Sequence, residues 1–137
     1  MSDARHAALI DRLAGYDTLV EVGVGERPAV AAALADRGCT VTATDVHDRP
    51  VPPGVDFARD DVTDPDPDLY ADADAVYALN CPPELHRPTR AVARGADADF
   101  LFTTLGGDPP LIPVDRETLP GGTLFVAADG PGSDGSW

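Results

Sequence analysis

A β-branched apolar run, Thr18-Leu19-Val20-Glu21-Val22, breaks into Gly23-Val24-Gly25 and gives way at Pro28 to an alanine-rich stretch with helical spacing. A strand that turns this tightly into a helix has few ways to continue. The usual one is a crossover that returns the chain to a parallel strand, with right-handed connections as the default. Val30, Ala31, Leu34 and Ala35 form the apolar stripe of the helix predicted over 28–37. Pro28 suits its first position, where a missing N–H costs nothing, and Gly38 is a good stop.

The rest of the chain repeats this alternation. Leu9, Ile10, Leu13 and Tyr16 share one face of a helix over 3–15, with Ser2 available as its cap. Strands are predicted at 40–44, 55–57, 75–79, 100–105 and 123–127, and a helix at 88–95. The segment 60–74 contains Pro65 and Pro67 and reads as loop with one helical turn near Leu69. The segment 106–122 also reads as loop. Several strands are continuously apolar, as in a sheet covered on both faces. The expected class is a doubly wound α/β fold with a mostly parallel sheet of about six strands and helices on both faces. Residues 1–127 are expected to form one domain, and 128–137, rich in Gly, Ser and Asp, a flexible tail.

Composition narrows the setting. The chain has 137 residues, 24 acids against 10 arginines, no lysine and a net charge of −14. Aspartate is spread along the whole length, as in DVTDPDPDLYADADA, rather than gathered in a tail. An acidic surface of this kind repels itself in dilute buffer. At about 1 M salt the Debye length is roughly 3 Å and that repulsion is screened. The balance resembles that of proteins from salt-accumulating (halophilic) archaea. No basic patch is present to grip phosphates, which disfavours nucleic acid as a partner. No apolar run is long enough to span a membrane, and the N-terminus lacks the apolar core of a secretory signal, so a cytoplasmic protein is expected. Cys39 and Cys81 lie 42 residues apart, with no spacing that suggests a metal.

In doubly wound sheets ligands bind beyond the carboxyl ends of the strands. Gly23 and Gly25 fall there, and the following helix would point unpaired N–H groups at an anion. The dinucleotide pattern G-x-G-x-x-G would need glycine at Pro28. The looser acid-x-G-x-G pattern of methyltransferases matches Glu21, Gly23 and Gly25 in register, although its frequent third glycine would fall at Arg27. A ligand-free βα turn remains the alternative. Asp45 closes the second strand 20 residues after Gly25, where an acid can accept from both hydroxyls of a ribose. It can equally be a solvated turn aspartate, and His47 reads as a loop histidine.

Asp60 and Asp61 follow the third strand, at the place where methyltransferases of this topology meet the adenine amino group. The fourth strand ends in ALNCPPEL, similar to the N-P-P-aromatic motif of amino-methyltransferases. Cys81 interrupts that motif and Glu84 replaces its aromatic residue. A rigid proline turn is the other reading. Asn80, Cys81 and Glu84 are the candidates for contact with a second molecule.

Taken together, VEVGVGERPAVAAALADRGCTVTATDV, RDDVTDP and YALNCPPEL resemble UPF0146, an uncharacterised family of short archaeal proteins, over roughly residues 5–127. The resemblance implies a Rossmann-like fold related to S-adenosylmethionine-dependent methyltransferases, and it supplies no activity. On the first reading Glu21, Gly23 and Gly25 shape the methionine end of an S-adenosylmethionine pocket, Asp45 holds the ribose and Asp61 the adenine. A non-catalytic nucleotide-sensing or interaction module is the second, and an NAD-dependent oxidoreductase the third. The expected partner is a small nucleotide-type ligand.

Overall fold

The computed structural model describes residues 4–25 and 28–128. The proposed Ser2 cap, the Arg27 position of the glycine motif and the tail beyond Ala128 lie outside the described residues. In chain order the elements are α1 (Ala4–Leu13), β1 (Thr18–Val22), α2 (Ala29–Asp36), β2 (Thr40–Asp45), β3 (Val55–Arg59), β4 (Ala75–Ala78), α3 (His86–Gly95), β5 (Asp99–Phe102), β6 (Val114–Leu119) and β7 (Gly122–Ala127). Short 3₁₀ turns occupy Pro67–Leu69 and Pro83–Leu85.

The strands form a seven-stranded sheet in the order β3-β2-β1-β4-β5-β7-β6. β1 to β5 pair in parallel, whereas β7 runs antiparallel to both β5 and β6. From β1 the chain steps outward to β2 and β3, then returns to lay β4 on the other side of β1. The order therefore reverses between β1 and β4, which is where such sheets open a crevice.

Alternation along β1 explains why both faces are covered. Leu19 packs with Leu9 and Leu13 of α1 and with Val30, Ala31 and Leu34 of α2. Val20 and Val22 point the other way, into a second core with Phe100, Phe102, Phe125 and Ala93 of α3. The ring of Phe102 lies 4.7 Å from Phe100 and 5.4 Å from Phe125, centroid to centroid. Each fully buried side chain of this size contributes roughly 1.5–3 kcal/mol by leaving water.

Local signals set the helix ends. Pro28 stands at the N-cap of α2, one position earlier than expected. At the other end Gly38 takes φ +95°, its N–H reaches Ala35 O, and the N–H of Cys39 reaches Leu34 O. This pair of bonds is the Schellman arrangement, and the left-handed angle is one that a side chain would strain.

The clearest departure from expectation is β6, which makes seven strands instead of about six. Val114–Leu119 read as loop because its residues are mostly polar, and it lies at the edge of the sheet, largely exposed. Pro120 and Gly121, at φ +90°, close a tight turn onto β7. Proline followed by a positive-φ glycine suits a type II turn. Among the described residues no helix is long and apolar enough to cross a membrane.

Candidate functional site

The glycine turn and the end of β2 are joined by hydrogen bonds. Gly23 and Val24 both donate their N–H to Thr44 O at 2.9 Å, and the Thr44 hydroxyl donates to Glu21 O at 3.1 Å. Gly25 donates its N–H to Asp45 Oδ2 at 2.9 Å. Gly23 and Gly25 have φ of +74° and +61°, so both positions favour glycine. Among the described residues, a Cβ built on Gly23 meets nothing within 4 Å, so the turn is open at that position.

Asp45 is 8% exposed. Its Oδ1 accepts from the His47 N–H at 3.0 Å, and the Arg49 guanidinium lies 3.5 Å from the same oxygen. Burial pushes its pKa up, but the N–H donors of His47 and Gly25 and the charge of Arg49 outweigh that and hold it below the usual carboxylate range. An ionised carboxylate offers about four lone-pair sites. Three neighbours here leave capacity for another donor. Val46 follows directly and is 49% exposed, an apolar surface beside a charged one.

Glu21 sits deeper than its place in the motif suggests. It is 2% exposed and faces the α1–α2 side, opposite Tyr77 in the register between β1 and β4. The Tyr77 hydroxyl donates to Glu21 Oε1 at 2.7 Å. Burial drives the Glu21 carboxyl up to about 7, only partly offset by that hydrogen bond. Its side chain therefore faces the core and Tyr77, and only its main-chain carbonyl, which accepts from Thr44, joins the bonds around the turn.

Beyond β3 the two acids divide. Asp60 accepts from the Tyr70 hydroxyl at 2.7 Å and the Asp66 N–H at 3.0 Å, which pins the acidic loop to the core. Asp61 is exposed, and its Oδ1 accepts from the Thr63 hydroxyl at 2.6 Å and the Thr63 N–H at 2.9 Å. Those bonds lower its pKa.

The three candidates after β4 have different surroundings. Asn80 is exposed at φ +53°, a conformation that Asn tolerates better than most residues, and its N–H donates to the Thr103 hydroxyl at 2.8 Å. Cys81 is buried, and burial raises its thiol to about 12, so it stays protonated. Glu84 is exposed in the turn that precedes α3.

His86 was not singled out from the sequence. It is fully buried against Phe102 at 4.6 Å. Leu111 donates its N–H to Nδ1 at 3.1 Å, so Nδ1 is the acceptor and Nε2–H donates to Cys81 O at 3.0 Å. The ring clamps the proline turn to the loop after β5. Val46 and Arg49 were not singled out either. The only sequence signal for Arg49 is a cation four residues after Asp45.

The reversal of strand order, the open glycine turn and an acid at the end of β2 define a Rossmann-like α/β protein of the methyltransferase type of fold. A TehB-like S-adenosylmethionine-dependent methyltransferase from Corynebacterium glutamicum superposes with a TM-score of 0.61 at 17% identity, over 92% of this chain and 86% of that one. A 1,6-didemethyltoxoflavin-N1-methyltransferase from Burkholderia thailandensis, solved with S-adenosylhomocysteine, gives 0.55 at 19% over 89% of this chain, which spans 59% of that longer protein. At these identities the likeness is one of fold. The sequence profile of the uncharacterised protein family UPF0146 matches residues 4–130, and the chain belongs to that family. A UPF0146 protein of the halophilic archaeon Halobacterium salinarum is 57% identical over 118 residues, 85% of this chain and 92% of the relative.

Proposed function

We propose that the crevice beyond β1 and β2 binds S-adenosylmethionine and that the protein is a methyltransferase. The observation that carries this reading is the 2.9 Å bond from the Gly25 amide to Asp45, which joins the glycine turn after β1 to the acid that ends β2, one strand from the β1–β4 reversal. Two fold neighbours support it, one an S-adenosylmethionine-dependent methyltransferase and the other solved with S-adenosylhomocysteine. When bound, the cofactor supplies a methyl group on a sulfonium centre. Gly23 and Gly25 let its amino-acid end approach the main chain, Asp45 has room to accept from a ribose hydroxyl, Val46 offers an apolar surface to the adenine, and Asp61 is the acid assigned to the adenine amino group. Glu21 shapes the pocket indirectly, because its carboxylate is spent on Tyr77. The chain's part in the reaction is then to position an acceptor in line with the methyl group.

A second reading rests on two observations. Asp45 is already held by Gly25, His47 and Arg49, as a structural latch would be, and the Cys81 thiol is buried. This favours a module that senses a nucleotide or a partner without turnover. The NAD-dependent oxidoreductase remains third, since Pro28 occupies the glycine position that a dinucleotide motif needs.

Calorimetric titration in molar KCl separates them. Binding of S-adenosylmethionine and S-adenosylhomocysteine, but not NAD, is expected. Asp45→Ala should weaken S-adenosylhomocysteine binding by about 1–3 kcal/mol, the cost of losing hydrogen bonds to a charged group. No binding of any of the three by folded protein would leave the interaction module.

A further inference from the structure

A cavity of about 690 Å³ opens beyond the ends of β4 and β5, on the β4–β5–β7 side of the reversal. Its walls come from the N-terminal half of α1, the ends of β4 and β5, the loop 103–110 and the β6–β7 hairpin. A volume near this suits a small organic molecule. Apolar surface comes from Leu9, Leu79, Leu119 and Phe125. Leu105, 67% exposed, stands at the rim ahead of Gly106 and Gly107.

The charge in this cavity runs against the rest of the chain. The protein carries 24 acids and 10 arginines, yet Asp108 is the one carboxylate that lines the cavity among the described residues. Arg116 lines it too, with its guanidinium 5.5 Å from the Phe125 ring centroid. Among the described residues that guanidinium meets no carboxylate. Arg116 is exposed on the edge strand β6, and its place over an aromatic face orients its planar fork of donors. Asn80 and Thr103 add polar groups at the ends of β4 and β5.

We propose that this cavity binds a small molecule with an apolar body and an anionic carboxylate or phosphate group, gripped by Arg116. The division of charge is consistent along the ligand edge. Asp45, Asp60 and Asp61 lie on the β1–β3 side, where a cationic sulfonium cofactor would be favoured, and an arginine waits on the other side for an anion. As the methyl acceptor, this ligand rests on the methyltransferase reading; as a ligand of the cavity, it does not.

The test uses phenyl phosphate, benzoate and benzyl alcohol, titrated into the ¹⁵N-labelled full chain in molar KCl and followed by amide shifts. Both anions are expected to shift Thr103, Leu105, Leu119 and Gly122, and the neutral alcohol to bind about tenfold more weakly, as the loss of one hydrogen bond between charged groups implies. The stronger of the two anions identifies the group preferred. Arg116→Gln should erase that preference and leave S-adenosylhomocysteine binding unchanged; Asp108→Asn should tighten the anions. Equal affinity for the alcohol, anion shifts confined to the arginines of α3, or unaltered anion binding in Arg116→Gln overturns the proposal. Anion binding here without any S-adenosylhomocysteine binding keeps the cavity and sinks the methyltransferase reading instead.

Discussion

Glu21 shows how a motif residue can be legible in position and not in role. The acid-x-G-x-G spacing gives its place one residue before the end of β1. The period-two alternation of the strand then turns it toward α1 and α2, where it meets Tyr77 and not solvent. The consequence is a pH dependence of stability. In an unfolded chain a glutamate titrates near 4.3. Burial holds the native carboxyl up to about 7. As pH rises between these values the unfolded state sheds a proton that the native state keeps, so stability falls, and above the native value the whole cost is felt. Glu21→Gln removes this dependence. Relative to wild type, the variant should gain about 3 kcal/mol on moving from pH 4 to pH 8, measured by urea unfolding in molar KCl. A wild type and variant that lose stability in parallel over that range would show that Glu21 is not the group responsible.

Elements behaved according to how much of their signal is local. β1, α2 and β2 carry theirs in apolar runs, a proline and Gly38, and their boundaries fell within a residue or two of expectation. β6 carries almost none, since an edge strand exposed to water need not be apolar; its signal was the Pro120–Gly121 turn beside β7. For the site the same distinction holds. Gly23, Gly25 and Asp45 were readable because backbone geometry and strand ends dictate them. His86 was not, because its value lies in reaching Leu111, 25 residues away. That reach makes it the element-scale test. His86→Leu keeps an apolar side chain but orphans Leu111 N–H and one acceptor site on Cys81 O. Cys81 is buried, whereas Leu111 is 40% exposed, where water replaces the lost partner. One buried group left unpaired costs about 1–3 kcal/mol, so a loss of about that size is expected from chemical denaturation. Exchange at the Leu111 amide should rise more than exchange in β1, since the clamp holds the loop that walls the cavity. Uniform acceleration across the sheet would mean that His86 serves the core as a whole.

At the scale of the whole molecule, two electrostatic effects oppose one another as salt is added. The ion pairs Arg12–Glu117 and Arg37–Asp11, at 2.8 and 2.6 Å, are weakened by screening. Exposed or half-exposed pairs of this kind are worth only about 0–1 kcal/mol each. Against them stands the self-repulsion of a net charge of −14 on 137 residues. That repulsion acts over about 10 Å in 0.1 M salt and over only about 3 Å at 1 M. Relief of repulsion should therefore win, and the urea midpoint should climb as KCl is raised. The shape of the rise identifies its cause. Screening acts through the Debye length, so most of the gain should come below about 1 M, with a plateau beyond it. A gain that grows steadily to several molar would point instead to exclusion of salt from the protein surface, which strengthens effective burial whatever the charge. A midpoint that falls with KCl would mean that the few arginine pairs outweigh the excess of aspartate, and the reading of this chain as fitted to salt would fail.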